Sequence, residues 1–220
     1  FISLIIAIPL GIYAGYKPES KTSKIIMGGS ILGFSMPTFW VGIIFIMIFA
    51  VHLGWLPSTG RGEIGTFLGI NSSLFTLNGL SHVFLPALNL ALFKISSVIR
   101  LTRAGTREII LQDYITFARS KGLSEKRIVL VHILKNILIP IVTVVGLEFG
   151  SLIAFSTVTE TVFAWPGMGK LIIDSIYNLD RPVIVAYLMI IVTFFVFLNL
   201  IVDILYTFLD PRVRIKGDSQ

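Results

Sequence analysis

Between two long apolar runs of this chain lies a polar segment of about forty residues, 100–139, reading RLTRAGTREIILQDYITFARSKGLSEKRIVLVHILKNILI. Eight Lys/Arg (Arg100, Arg103, Arg107, Arg119, Lys121, Lys126, Arg127, Lys135) stand in it against three acids. Few folds accommodate that arrangement. The flanking runs are long enough to cross a bilayer as helices. A short loop this basic between crossing helices stays on the cytoplasmic side.

Composition supports the membrane reading. With 55% hydrophobic and 14% charged residues and a mean hydropathy of +0.89, the chain is too apolar for a soluble domain, in which charged residues reach about 25%. The formal charge of +6 does not indicate nucleic acid, because the basic residues lie beside apolar runs rather than in a domain of their own. Absence of cysteine excludes disulfides, thiol catalysis and thiolate metal sites within the chain. The opening FISLIIAIPLGIYAGY shows no basic n-region and no small-residue cleavage site, so it does not read as a signal peptide. Its sixteen residues fall short of the roughly twenty needed to cross; residues 1–16 are expected to be the C-terminal part of a truncated helix.

Five apolar segments stand out, 1–16, 25–51, 83–103, 133–162 and 183–208. Three Lys/Arg in 17–24, eight in 100–139 and three in 210–220 total fourteen on one side, against three in 52–82 and 163–182 on the other. An alternating path through five spans puts the three basic stretches on one face, so charge and connectivity agree. The expected layout is a transmembrane domain over 17–208 with a cytoplasmic loop at about 104–139, then a cytoplasmic tail, 209–220. The Gly-, Ser- and Asn-rich loop 52–82 and the segment 163–182, with its Trp-Pro-Gly turn and a short interfacial helix, are placed outside. No internal repeat is visible.

Within the basic loop, Glu108 to Lys121 reads as one short surface helix with an apolar set at Ile109, Ile110, Tyr114, Phe117 and Ala118. Gly122 breaks it, and Ser124 is a candidate N-cap for a second helix running past His132 and Asn136 into the membrane, with Pro140 tolerated near its entry. Composition alone leaves open a plain positive-inside loop or a lipid-facing amphipathic helix.

The string FARSKGLSEKRIVLVHILKNILIP resembles the signature loop of importer-type ATP-binding-cassette permeases, the EAA loop, in which a small residue precedes a glycine by four positions, here Ala118 and Gly122. The general pattern continues with Ile-x-Leu-Pro. This chain keeps only the Leu, at Leu134, and carries its proline at Pro140, a form similar to the branch serving oligopeptides, dipeptides and nickel. IPLGIYAGYK, SMPTFWVG, LGWLPSTGR, LPALNLAL, ETVFAWPGMGKL and VDILYTFLDPRVR resemble the same branch over almost the whole chain, and its B-type subunit in particular. The resemblance implies an all-α polytopic integral membrane protein of the MetI-like permease fold, with five spans of an expected six visible.

It further implies a permease subunit of an ATP-driven importer for peptides, with nickel or another small solute as the alternative and a secondary transporter as the remaining one. Ala118, Arg119, Ser120, Lys121, Gly122, Leu123 and Glu125 would couple the chain to an ATPase. ATP and Mg would be bound by partner subunits, and no cofactor or metal is expected in this chain, which has neither a Gly-x-x-x-x-Gly-Lys-Ser/Thr phosphate loop nor a His-Glu-x-x-His pair. It is expected not to be an enzyme itself. Implied partners are a second homologous permease, two cytoplasmic ATPase subunits, an extracytoplasmic substrate-binding protein docking near 52–82 and 163–182, and membrane lipid, but no nucleic acid. The implied location is a prokaryotic inner membrane, with the C-terminus cytoplasmic.

Ionisable residues inside spans are costly and face a cavity or a partner. Glu148 shares a helix face with Ser151, Phe155 and Thr159 by three- and four-residue steps. That stripe is a candidate translocation path in which Glu148 meets a substrate ammonium or a cation; the alternative is a neutral or paired carboxyl in a contact between subunits. Glu160 and Trp165 are candidates for an external gate, with an interfacial cap as the other reading of Glu160. Lys94 is expected to snorkel to the cytoplasmic surface. Gly28, Gly29, Ser30, Gly33 and Ser35 are read as close helix contacts.

Overall fold

The computed structural model describes residues 1–209, and all five apolar segments are helical in it. In chain order the elements are α1 (Ile2–Tyr16), α2 (Lys21–Ser35), α3 (Thr38–Phe45) continuing in wide π turns over Ile46–His52, and α4 (Leu77–Ile110). There follow α5 (Asp113–Ser120), α6 (Glu125–Arg127) with π turns over Ile128–Ile133, α7 (Leu134–Leu147), α8 (Phe149–Val162), α9 (Met168–Tyr177) and α10 (Arg181–Leu209). Leu77–Ile110, Glu125–Gly146 and Arg181–Ile204 are each long and apolar enough to cross a membrane, α2 and α3 qualify as a bent pair, and α1 is a shorter apolar helix. The tail beyond residue 209, with its three basic residues, lies outside the described residues.

Helix α4 organises the molecule. Its 34 residues make a rod of about 50 Å, well beyond a hydrocarbon core of about 30 Å, so the turns carrying Arg103 and Arg107 project past the membrane surface. Thr76 starts it by accepting the Gly79 N–H, the N-cap bond that satisfies an orphan amide. Helix α1 runs parallel to it in close contact: a Cβ on Gly11 would lie 2.5 Å from Thr102 Cβ, and one on Gly15 2.6 Å from Thr106 Cβ. In lipid no hydrophobic force draws helices together, and association rests on such backbone-to-backbone packing. Gly11→Val is therefore expected to cost about 1–3 kcal/mol by overpacking, read as a lower thermal midpoint of the detergent-solubilised protein.

Helices α7 and α8 return antiparallel to α4. Ile137 touches Gly105, Glu148 reaches Ser97 and Thr159 reaches Asn89. Helix α10 then runs antiparallel beside them, with Val202 on Gly146 and Phe195 on Gly150. The buried core joins Ala7 of α1, Ala91, Ile95, Val98 and Ile99 of α4, and Ile133, Ile137 and Ile141 of the return. Ile115 and Ala118 of α5 and Ile128 belong to the same cluster.

The structure adds two local features and corrects two expectations. The second apolar run is not straight: α2 and α3 meet at 107°, because Met36 and Pro37 are both extended (ψ 136° and 135°), proline excluding the helical region for the residue before it. Gly28 and Gly29 have nothing within 4 Å of an added Cβ; of the residues read there as close contacts, Gly33 does meet Ser96, at 3.1 Å, and Ser30 is buried. The loop 52–82 holds a small antiparallel hairpin, Gly65–Phe67 with Ile70–Ser72. Its turn, Leu68-Gly69, has positive φ at both residues, the backbone of a type I′ turn. Finally, Glu108 closes α4 rather than opening the surface helix, which begins at Asp113.

Candidate functional site

Three places collect the residues singled out by the sequence. The first is the hairpin of α5 and α6 at the basic end. Ser120 is the last residue of α5, Gly122 adopts φ +76°, and two bonds close the helix: the Gly122 N–H to the Arg119 carbonyl (2.9 Å) and the Leu123 N–H to the Ala118 carbonyl (3.2 Å). This is the Schellman arrangement, which requires a left-handed residue at its corner. The four-residue spacing of Ala118 and Gly122 has its physical reason here. Ala118 gives the carbonyl that the turn caps, and its small side chain, 5% exposed, sits in the core beside Ile115 at 0%.

The apolar face of this element is thus Ile115 and Ala118, with Leu123 packed against the core; of the set read from the sequence, Ala118, Ile109 and Ile110 pack there, while Tyr114 and Phe117 do not. Phe117, Tyr114 and Leu111 point outward, at 59%, 42% and 82% exposure, and Lys121 lies over the Phe117 ring at 4.4 Å. Tyr114 accepts a bond from Asn136 Nδ2 (3.3 Å), and the partial desolvation of its hydroxyl raises its phenol above the ordinary value. Ser124 does hold the N-cap position of α6, without a side-chain capping bond. Arg119 pairs with Glu125 (Nε to Oε1, 3.2 Å), and a bond to the Tyr16 hydroxyl raises the Arg119 guanidinium further above its high ordinary value.

The second place is the seam between α4 and the α7–α8 return. Glu148, Ser151, Phe155 and Thr159 do share a face, and it faces α4. Lys94 Nζ lies 3.0 Å from Glu148 Oε2 and donates to Ser151 Oγ at 2.7 Å. Ser97 Oγ donates to Glu148 Oε1 at 3.3 Å, the Phe93 and Phe155 ring centroids are 5.2 Å apart, and Asn89 Nδ2 donates to Thr159 Oγ1 at 3.2 Å. Lys94 therefore does not snorkel: it is 6% exposed, and a carboxylate within reach makes the interior position tolerable. Glu148 also interrupts the helix, with ψ −6° between α7 and α8. Cavities of about 490 and 170 Å³ flank Lys94, the smaller one also touching Glu148. Sequence reasoning missed Asn89, Phe93 and Ser97, although they follow one another at four-residue steps, a helical spacing like that of the stripe they meet.

The third place is the opposite end of α8. Glu160 Oε2 accepts the Lys170 N–H (2.9 Å) at the start of α9, and the Trp165 N–H donates to the Glu160 carbonyl (2.8 Å). A carboxylate at a helix N-terminus meets both its free amides and the positive end of its dipole, so Glu160 has the geometry of a cap. Glu160 and Trp165 together line a cavity of about 190 Å³ with Pro86, Leu90 and Thr159. The loop following α3 is tied here through the Gly60 N–H to the Phe163 carbonyl at 3.0 Å.

Comparison with known proteins identifies the setting of these sites. Residues 7–215 match the family described as binding-protein-dependent transport system inner membrane component. The chain is 40% identical over 217 residues to the di/tripeptide transport system permease protein DppB of Pseudomonas aeruginosa, covering 93% of this chain and 64% of that protein. It is 40% identical over 213 residues to the oligopeptide transport system permease protein AppB of Bacillus subtilis (97% and 66%), and 35% over 226 residues to the dipeptide transport system permease protein DppB of Escherichia coli (96% and 67%). It thus spans about two thirds of the length of these relatives. With a match over nearly its whole length and a helical membrane fold to go with it, the chain belongs to the inner membrane components of binding-protein-dependent transport systems.

Proposed function

We propose that the chain is the permease subunit of an ATP-driven peptide importer, and that the α5–α6 hairpin is where cytoplasmic ATPase subunits engage it. The observation that carries this reading is the outward face of that hairpin. Leu111, Tyr114 and Phe117 form an apolar patch on an element whose other face is locked into the transmembrane core. A rigid, capped helix with exposed aromatics is the kind of surface that binds a partner with little ordering cost. Ala118, Gly122 and Leu123 shape it; Arg119, Ser120, Lys121 and Glu125 supply polar contacts around it. ATP and Mg belong to the partner subunits in this reading.

Orientation follows from charge: the basic end, including the C-terminus, is cytoplasmic. A second permease chain covers apolar surface that this chain leaves open, and an extracytoplasmic binding protein delivers solute at the end formed by 52–82 and 163–182. Glu160 and Trp165 stand at that mouth as an external gate. The stripe Glu148, Ser151, Phe155 and Thr159 with its α4 partners forms a wall of the route. Peptide is the preferred solute because three relatives of 35 to 40% identity carry di/tripeptide, oligopeptide or dipeptide transport in their names.

The test is capture of ATPase subunits by the full-length protein from its native membrane. Phe117→Glu, at a position 59% exposed, should leave folding intact and reduce capture by about tenfold or more, as loss of an aromatic anchor does. Undiminished capture with Phe117→Glu would remove the hairpin as the docking surface.

A further inference from the structure

Tyr16, Arg119 and Glu125 come from three elements, the last turn of α1, α5 and the first residue of α6, and each touches the other two. The Tyr16 hydroxyl donates to Glu125 Oε2, Arg119 Nε donates to Glu125 Oε1 at 3.2 Å, and Arg119 Nη2 donates to the Tyr16 hydroxyl at 3.3 Å. The triangle closes over a sequence separation of more than a hundred residues. An exposed ion pair alone is worth little, and Arg119 and Glu125 are 39% and 56% exposed. The third member changes its meaning, because Tyr16 is anchored on a helix that cannot shift along α4. The Gly11 and Gly15 contacts leave no room between those two helices for even a methyl group.

The other way out of the hairpin is built differently. From α6 the chain continues through π turns at Ile128–Ile133, and α7 is parted from α8 at Glu148. Irregular turns inside long helices are where bending concentrates. The hairpin is therefore held to α1 by the polar triangle, and to the return by the Tyr114–Asn136 bond and by packing on a segment whose turns are irregular.

We infer that Tyr16, Arg119 and Glu125 form a clasp joining the α5–α6 hairpin to the α1–α4 pair, so that a push received at the hairpin moves these four helices as one body. This rests on the docking reading proposed above. The return yields at its two irregular turns, and the seam between α4 and α8 is where the relative movement appears. The three residues touch neither nucleotide nor solute; they are positioning residues, and their substitution is read in the coupling of transport to hydrolysis.

Residues 1–220 hold no cysteine, so once cysteines elsewhere in the assembled transporter are replaced by serine, Tyr16→Cys/Glu125→Cys supplies the pair for a short bifunctional maleimide. The experiment uses the full-length transporter with its ATPase subunits in proteoliposomes and measures solute moved per ATP hydrolysed. Tyr16→Phe, on α1 and away from the docking face, should leave ATPase capture unchanged and lower that ratio about fivefold, the scale of substitutions within a coupled network. The double-cysteine protein should show the same fall and regain the ratio on cross-linking. An unchanged ratio with Tyr16→Phe, or uptake abolished by cross-linking while capture persists, would overturn the clasp. Absence of capture by the unsubstituted chain would be a different failure, that of the docking reading, and would take the clasp with it.

Discussion

Gly122→Val is expected to abolish uptake while leaving insertion and bundle packing intact. At φ +76° with nothing within 4 Å of an added Cβ, the obstacle is conformation rather than space. An L-residue in the left-handed region costs about 1–2 kcal/mol, and a β-branched one is a genuine outlier there. The corner that presents the Ala118 carbonyl to the Leu123 amide then opens, and the hairpin loses its fixed shape. A loss of 1.4 kcal/mol is tenfold in population, so uptake should fall at least about that far. The series Gly122→Asn, Gly122→Ala and Gly122→Val separates two causes. Asn tolerates the left-handed region better than Ala although it is larger, so conformation predicts Asn above Ala above Val in uptake. If instead Ala exceeds Asn, the glycine is needed for the close approach of a partner backbone.

The elements that the sequence declared were those encoded by long-range composition. Apolar runs separated by basic and by Gly/Ser/Asn-rich stretches located all five helical regions, and the spacing of Ala118 and Gly122 located the corner of the hairpin. What escaped was decided by single backbone choices. Proline is found within α1, α4 and α7, at Pro9, Pro86 and Pro140, so Pro37 carried no special mark. It breaks its run because two consecutive residues there turn extended. The hairpin at 65–72 was hidden because its turn puts Leu68 at φ +50°, where Asn or Asp would have announced it. The inward face of α5 was only partly read because the large rings of Phe117 and Tyr114 drew the apolar stripe toward themselves, yet Ile115 beside Ala118 is the residue that reaches the core. The partner of Glu148 was in plain view as Lys94, but snorkelling is the usual fate of a lone lysine in a span, and only tertiary structure shows a carboxylate within reach.

Lys94→Met is expected to be among the most destabilising single substitutions in the chain. It leaves the Glu148 carboxylate inside a span with the Ser97 hydroxyl as its remaining bond, and breaking a buried pair by removing one partner costs about 3–5 kcal/mol. The lower end applies, because the Glu148 side chain keeps 27% of its surface open. Ser151 suffers little, since its hydroxyl already donates to the Glu148 carbonyl at 2.7 Å. Glu148→Gln should be milder, because Lys94 keeps its bond to Ser151 Oγ and the amide leaves a polar oxygen beside it. The double substitution Lys94→Met/Glu148→Met should recover most of the lost stability, as apolar replacements of buried pairs do. Thermal unfolding of the solubilised protein measures all three. Uptake then decides what the pair is for: a double variant that is stable and transports normally makes Lys94 and Glu148 a packing device of the α4–α8 seam. One that is stable and does not transport places their charges on the route itself, where solute or the movement of the seam depends on them.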